Sequence, residues 1–327
     1  MHILIIGAAG MVGRKLTARL VSEGGLHGKP ISALTLVDVV KPDAPAGFSG
    51  SLVARETDFS CPGEADVLIS TRPDVIFHLA AIVSGEAELD FEKGYKINLD
   101  GTRHLFDAIR IANQKDGYFP RVVFTSSIAV VGAPLPYPIP DDYHLTPLTS
   151  YGTQKAISEL LLADYSRRGF FDGIGIRLPT VCIRPGKPNK AASGFFSGIL
   201  REPLVGQEAI LPVSDDVRHW HTSPRSAVGF LIHAAGLDLS KLGWRRNLSM
   251  PGVSATVGEQ IEALRRAAGE DAVKLIRREP DEMIMKMVAG WAPGFEAKRA
   301  TELGFTSEKN FDEIIQVHIE DELGGKL

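Results

Sequence analysis

Ile3-Leu4-Ile5-Ile6-Gly7-Ala8-Ala9-Gly10-Met11-Val12-Gly13 is a short aliphatic run followed by three glycines at intervals of three. The run Ile3–Ile6 reads as a buried strand, and Met11–Ser22 behind it has helical spacing. Between them Gly7 permits a tight turn, Gly10 lets the backbone approach a pyrophosphate, and Gly13 lets helix and strand pack closely. A helix opened by Met11, Val12 and Gly13 offers free N–H groups and a positive dipole end to phosphates. A glycine trio alone is a weak signal. The next strand, Leu34–Val39, strengthens it by carrying Asp38, whose carboxylate can accept both ribose hydroxyls and repel the extra phosphate of NADP. NAD is therefore the predicted cofactor. Asp58, in Thr57-Asp58-Phe59, has two readings of nearly equal weight: a hydrogen bond to the adenine amine, or ordinary turn chemistry.

The same alternation continues outward. Val75–Leu79 reads as a strand, Tyr95–Asn113 as an amphipathic helical segment, Val122–Thr125 as a strand, Ser150–Arg167 as a helix and Gly173–Arg177 as a strand. These strands are continuously apolar, which implies burial on both faces and hence a parallel sheet covered by helices. The fold class is α/β, a doubly wound parallel-sheet Rossmann domain with a smaller C-terminal substrate lobe. Its expected division is 1–178 for NAD binding, with a return at 222–240, and 179–327 mainly for substrate. After Arg177, Pro179, Pro185, Pro188, Pro203 and Pro212 punctuate a stretch that reads as loops and short helices rather than sheet, although Ser226–Ala235 has helical spacing.

Composition narrows the partners. A net charge of -4 over 327 residues argues against nucleic acid or a membrane surface. No stretch has the length of a bilayer span, and the apolar run Ile3–Ile6 is too short for a signal peptide. Cys61 and Cys182 read as reduced thiols, so a cytoplasmic protein is expected.

Ser126-Ser127 ends the strand Val122–Thr125, at the edge where doubly wound sheets bind ligands. Tyr151 and Lys155 lie four apart at the start of a helix and share a face. A free phenol ionises near pH ~10, too high for a base at neutral pH. A neighbouring ammonium and a positive nicotinamide ring both favour the phenolate. Ser127 can then stabilise charge on a substrate oxygen, and Lys155 can also hold the nicotinamide ribose. Tyrosine four before lysine is common on helical surfaces. Its coincidence with Ser127 and the glycine turn is what makes it a catalytic set.

These residues resemble the extended short-chain dehydrogenase/reductase family, with Gly7, Gly10 and Gly13 matching its turn and Ser127, Tyr151 and Lys155 its triad. His78-Leu79-Ala80-Ala81 is similar to the family's cofactor-lining strand end, Asn98 to its structural asparagine, and Leu178-Pro179-Thr180-Val181 to the segment whose backbone holds the carboxamide. The resemblance implies that Leu79, Ala80, Ala81, Asn98, Pro179 and Val181 join the cofactor site. It also implies a homodimer through the helices at Tyr95–Asn113 and Ser150–Arg167. Nucleotide-sugar epimerases and dehydratases of the family usually have tyrosine where this chain has Val131, and a different segment from Arg218-His219-Trp220-His221. The stretches Ala80–Gly85, Ser150–Ala156 and Arg184–Asn189 instead resemble the D-erythronate dehydrogenase branch, which implies a four-carbon sugar acid as substrate, with Ser84, Ser127 and Tyr151 among the residues that bind it.

A small acid needs cationic recognition, and arginine's planar fork suits a carboxylate. Arg184 and Arg218 are the candidates, Arg218 preferred because Trp220 stands beside it; Lys187 and Lys190 read as solvated charges. His219 and His221 can touch substrate hydroxyls or be satisfied structural groups, and with no third ligand at hand no metal site is expected. The leading reading is a dehydrogenase for a 2-hydroxy sugar acid. The alternatives are an epimerase or dehydratase that retains its NAD, and a catalytically idle NAD sensor, which would have no use for an intact triad.

Overall fold

The computed structural model describes residues 1–186 and 192–326. Strand β1 (His2–Ile6) leads into α1 (Met11–Glu23), followed by β2 (Ala33–Asp38), β3 (Ser51–Glu56), α2 (Glu64–Ser70) and β4 (Val75–His78). Two short helices, Ser84–Leu89 and Phe91–Gly94, and a π-wound turn, Tyr95–Asp100, run into α3 (Gly101–Asp116). Then come β5 (Arg121–Ser127), α4 (Ser150–Arg167) and β6 (Asp172–Leu178). With a late strand at Asn247–Ser249 these make a seven-stranded sheet, ordered Asn247–Ser249, β6, β5, β4, β1, β2, β3. Strand β1 pairs in parallel with β2 and β4, Ile6 standing beside Val37 on one side and His78 on the other. The pairs β2–β3 and β4–β5 are parallel as well.

Chemistry explains the order. Leu4, Ile6, Ile76, Val122 and Phe124 are almost wholly buried, and helices α2, α3 and α4 contribute Leu68, Phe106, Ile109 and Leu162 to the same core. Two strands escape the sequence reading, β3 and Asn247–Ser249. Both are sheet edges, and β3 alternates between exposed and half-buried positions, so it lacks the continuous apolar signature of a central strand.

Two compact units emerge, one of Met1–Ser127, Thr149–Arg177 and Val228–Leu248, the other of Ile128–Leu148, Leu178–Ala227 and Ser249–Leu327. The second differs from the expected loops and short helices. It holds a three-stranded sheet of β7 (Thr180–Val181), β8 (Arg218–Thr222) and Val253–Thr256, with β8 in the middle. It also holds helices of 11 and 12 residues at Gly194–Leu204 and Phe311–Glu322, and a helical stretch Val257–Val273 that is broken at Gly269, whose φ is 81°. Pro185 and Pro212 fall in connections and Pro203 in the last turn of its helix, so the prolines punctuate regular structure rather than replace it. Thr256 and Glu259 form a reciprocal capping box that starts Val257–Val273. The segment read as helical, Ser226–Ala235, lies within the helix Pro224–Gly236.

Close backbone approach is the tightest constraint in the first unit. A Cβ on Gly13 would fall on the Gly7 carbonyl oxygen and 2.8 Å from Ala8 Cα, and neither can yield without moving the turn. Gly13→Ala should therefore cost about 1–3 kcal/mol of unfolding free energy, the usual price of overpacking. Urea titration of the NAD-free protein measures it; an unchanged midpoint would show that the turn has room to give.

Candidate active site

Strand β1 ends in a turn fastened to β2. The N–H groups of Gly7 and Ala8 both donate to Val37 O, at 2.8 and 3.1 Å. Asp38 completes the fastening: its carboxylate accepts from Ala9 N–H at 2.9 Å and from Val39 N–H at 2.8 Å. Two of its roughly four acceptor positions are so used, which leaves capacity for ribose hydroxyls. Gly7, at φ 94°, abuts the end of β4, where an added Cβ would stand 2.6 Å from Ala80 N. Leu79 and Ala80 donate to Ile6 O, so the expected cofactor-lining Leu79-Ala80-Ala81 runs beside the turn.

Gly10 behaves differently from its two neighbours in the motif. A Cβ there would meet only Gly7 O, at an ordinary 3.4 Å. Protein packing does not require glycine at this position, as an approaching ligand would. Helix α1 begins at the same point with no side-chain cap and no acid in its first turn, formed by Met11, Val12 and Gly13. These features fit the diphosphate of NAD.

Two expected cofactor residues have their side chains engaged elsewhere. Asp58 accepts from Ser60 N–H and Oγ, from Cys61 Sγ and from Lys96 Nζ. Burial pushes its pKa up, but these hydrogen bonds prevail and hold it below the ordinary value. These are the partners expected of ordinary turn chemistry. Asn98 is 1% exposed. Its Oδ1 accepts from Ile82 N–H at 2.9 Å and its Nδ2 donates to Gln154 Oε1 at 2.8 Å, so the amide holds the loop at Ile82. Ser84 opens the short helix after that loop.

Helix α4 presents Tyr151 and Lys155. Its N-cap, Thr149, accepts from Gly152 N–H at 3.0 Å and so fixes where the first turn begins. Lys155 is 2% exposed. Its Nζ donates to Thr125 O at 2.8 Å, two residues before Ser127 on β5, and lies 5.9 Å from the centre of the Tyr151 ring and 4.8 Å from that of Phe124. Burial drives its pKa down from 10.5 to about 7, with the Glu159 charge pulling in the opposite direction. Glu159, 1% exposed, accepts from Ser126 Oγ at 2.6 Å and from both Nε and Nη2 of Arg177, at 2.9 and 2.8 Å. Sequence reading missed Glu159 and Arg177. Their signals are a carboxylate four residues past Lys155 and a charge inside an apolar strand.

In the second unit, Pro179 and Val181 flank Thr180 on β7, which pairs in parallel with β8. Arg218 forms an ion pair with Glu259 at 3.2 Å and reaches Ser254 O at 3.3 Å. Its expected aromatic shelter also has other duties: Trp220 is 8% exposed and donates to Met250 O. Arg184 donates to the neutral oxygens of Val181 (3.0 Å) and Ser193 (2.8 Å). Arg218 thus already faces a carboxylate of the protein, at Glu259. His219 and His221 are buried structural groups. His219 bridges Thr180 Oγ1 and Ala292 O at 2.7 and 3.1 Å, and His221 meets Gln260 at 3.1 Å. Burial holds His219 down at about pH 3 and His221 well below its usual range. Lys187 and Lys190 lie outside the described residues. Among the described residues no group of three His, Cys, Asp or Glu is placed to hold a metal, and no helix is long and apolar enough to cross a membrane.

Two consequences can be measured. Gly10→Ala should weaken NAD binding about tenfold or more while leaving stability within about 1 kcal/mol, since the added methyl meets ligand rather than protein; calorimetry of both variants at Gly10 and Gly13 checks the contrast. The second concerns Lys155, whose folded pKa lies below its unfolded one. Between pH 7 and 10.5 the unfolded chain holds a proton that the folded chain has released, so stability due to this group rises with pH. Lys155→Met removes the effect. Its stability relative to the wild type should be highest below pH 7 and should fall steadily toward pH 10.5. Thermal unfolding without NAD reads it, and a pH-independent difference would refute the desolvated lysine.

Comparison with known proteins follows the same lines. Residues 3–222 match the NAD dependent epimerase/dehydratase family. The chain is 46% identical to the D-erythronate dehydrogenase of Cupriavidus necator over 98% of both proteins. It is 43% identical to that of Haemophilus influenzae, over 98% of this chain and 99% of the other. A crystal structure described as the nucleoside-diphosphate-sugar epimerase from Agrobacterium tumefaciens is 79% identical and superposes with a TM-score of 0.98, covering 100% of this chain and 95% of that one. The glycine turn, the strand-end carboxylate and these relatives agree: the chain is an NAD-dependent dehydrogenase belonging to the NAD dependent epimerase/dehydratase family.

Proposed function

We propose that the chain oxidises the C2 hydroxyl of a small sugar acid, D-erythronate to 2-dehydro-D-erythronate, with Ser127, Tyr151 and Lys155 as its catalytic residues. The observation that carries this reading is the buried Lys155 ammonium 5.9 Å from the Tyr151 ring, in a chain nearly half identical to two D-erythronate dehydrogenases. Tyr151, as phenolate, accepts the C2 hydroxyl proton. Lys155 favours that phenolate because its charge is desolvated and therefore weakly screened. Ser127 donates to the same substrate oxygen and steadies the charge that grows there. Bound NAD supplies the hydride acceptor. Arginine recognises the substrate carboxylate, Arg218 with Arg184 as the alternative.

A second reading has specific support in the name of the 79% identical structure: a nucleotide-sugar epimerase, in which the hydride returns within one cycle. Val131 and the Arg218-His219-Trp220-His221 segment weigh against it, since both depart from the pattern of that branch.

Absorbance at the NADH band separates the two. The wild type should reduce NAD with D-erythronate and strongly prefer NAD to NADP, because Asp38 sits at the ribose end of the turn. Tyr151→Phe should lower kcat by on the order of 10²–10⁴, the usual contribution of a positioned proton acceptor, with NAD binding kept. Arg218→Met should raise KM for the acid by the equivalent of about 1.5–3 kcal/mol, and Arg184→Met does so instead if that residue holds the carboxylate. Epimerisation of a nucleotide sugar with no NADH from any sugar acid would overturn the dehydrogenase reading.

A further inference from the structure

Gln154 stands between Tyr151 and Lys155 on α4 and is 0% exposed. A buried primary amide is costly unless it is hydrogen-bonded. Its Oε1 accepts from Asn98 Nδ2 at 2.8 Å. Asn98 grips the backbone of Ile82 from both sides, accepting its N–H at 2.9 Å and donating to its carbonyl at 3.3 Å. Ile82 is two residues beyond Ala80, which hydrogen-bonds Ile6 O and abuts Gly7 in the cofactor turn. A continuous path of hydrogen bonds and backbone therefore runs from the catalytic turn of α4 to the glycine turn.

Local structure is arranged around this path. Asn98 lies in the π-wound turn Tyr95–Asp100, and such wide turns recur at functional sites. The helix before it has glycine at position 94, where a Cβ would stand 2.7 Å from Gln154 Nε2. That nitrogen has no hydrogen-bond partner among the described residues. An apolar side chain of similar shape would fill the same space without leaving a buried donor unsatisfied, so packing alone does not account for an amide here.

We propose that Gln154 is a positioning residue: through Asn98 and Ile82 it sets the distance between the Tyr151–Lys155 turn and the strand end that flanks the cofactor turn. This role rests on the catalytic assignment of Tyr151 and Lys155, but the tether does not. Its loss leaves α4 folded, since Thr149 still caps it and Glu159 still binds Arg177.

The test is Gln154→Met, which keeps the shape and removes the acceptor, with Gln154→Glu as the conservative variant that retains an oxygen facing Asn98. Amide hydrogen exchange on the NAD-free protein should show Ile82 losing protection about tenfold in Gln154→Met, the scale of one lost hydrogen bond, and much less in Gln154→Glu. In the NAD complex, the phenolate absorbance of Tyr151, taken as the difference from Tyr151→Phe, should titrate at higher pH in Gln154→Met. Turnover of D-erythronate should fall on the order of tenfold to a hundredfold in kcat, as small misplacements do, and recover in Gln154→Glu. Unchanged protection at Ile82 would refute the tether. Lost protection with an unmoved tyrosine titration would refute the positioning role, whatever happens to stability. Should Gln154→Met not fold, Gln154→Glu against Asn98→Asp in the same exchange and titration measurements decides the matter. If the wild type does not oxidise D-erythronate, the substrate reading fails while exchange and titration still judge the tether.

Discussion

A lysine ammonium removed from water is the constraint around which the first unit is built. Lys155 loses its hydration shell, and the protein substitutes one carbonyl, Thr125 O, together with the faces of Phe124 and Tyr151. That exchange is incomplete, which is why burial drags the pKa down to about 7. The negative charge that resists further loss is Glu159, one helical turn along. Glu159 is itself buried and has to be neutralised, so Arg177 arrives from β6 with two hydrogen bonds and Ser126 from β5 with a third. Removing one partner of such a buried pair typically costs about 3–5 kcal/mol. The helix is thus locked against both neighbouring strands by charges, and the strand that carries Ser127 is held on both sides of Thr125.

This explains why the inner face of α4 is polar. Gln154, Lys155, Ser158 and Glu159 are buried together, and Leu160 on the same helix is exposed. Apolar periodicity, the main signal for helix orientation, is therefore nearly absent there. The helix itself was legible from Ser150 to Arg167, the bounds found in the structure. Its orientation was legible only through the chemistry of Tyr151 and Lys155. The five interior strands announced themselves by largely apolar runs, which is what burial on two faces demands, and the turn by its three glycines. Edge strands such as Ser51–Glu56 need only one protected face and look like loops in sequence.

Contacts between residues distant in sequence were the part that could not be read. Arg218 seemed a sheltered cation because Trp220 is two residues away, whereas its charge partner, Glu259, is 41 residues downstream. The motif around Asn98 gives no sign of Gln154, 56 residues later, to which its amide donates. The Asp58 turn is the opposite case: Ser60 and Cys61 are its immediate neighbours, and local hydrogen bonds are encoded locally.

The histidines of β8 carry the same logic into the second unit. His219 is kept neutral by burial, so one ring nitrogen donates and the other accepts. Ala292 O can only accept, which places the proton on Nδ1 and makes Nε2 the acceptor of the Thr180 hydroxyl proton. Thr180 therefore has its proton committed and offers only lone pairs to anything else that approaches. His221, buried against Gln260 and likewise held well below its usual range by burial, adds no positive charge either. Two imidazoles thus hold Thr180 and the strand β8 in place without becoming cationic near neutral pH. Guanidinium groups differ in kind, since their charge survives burial where that of imidazole does not.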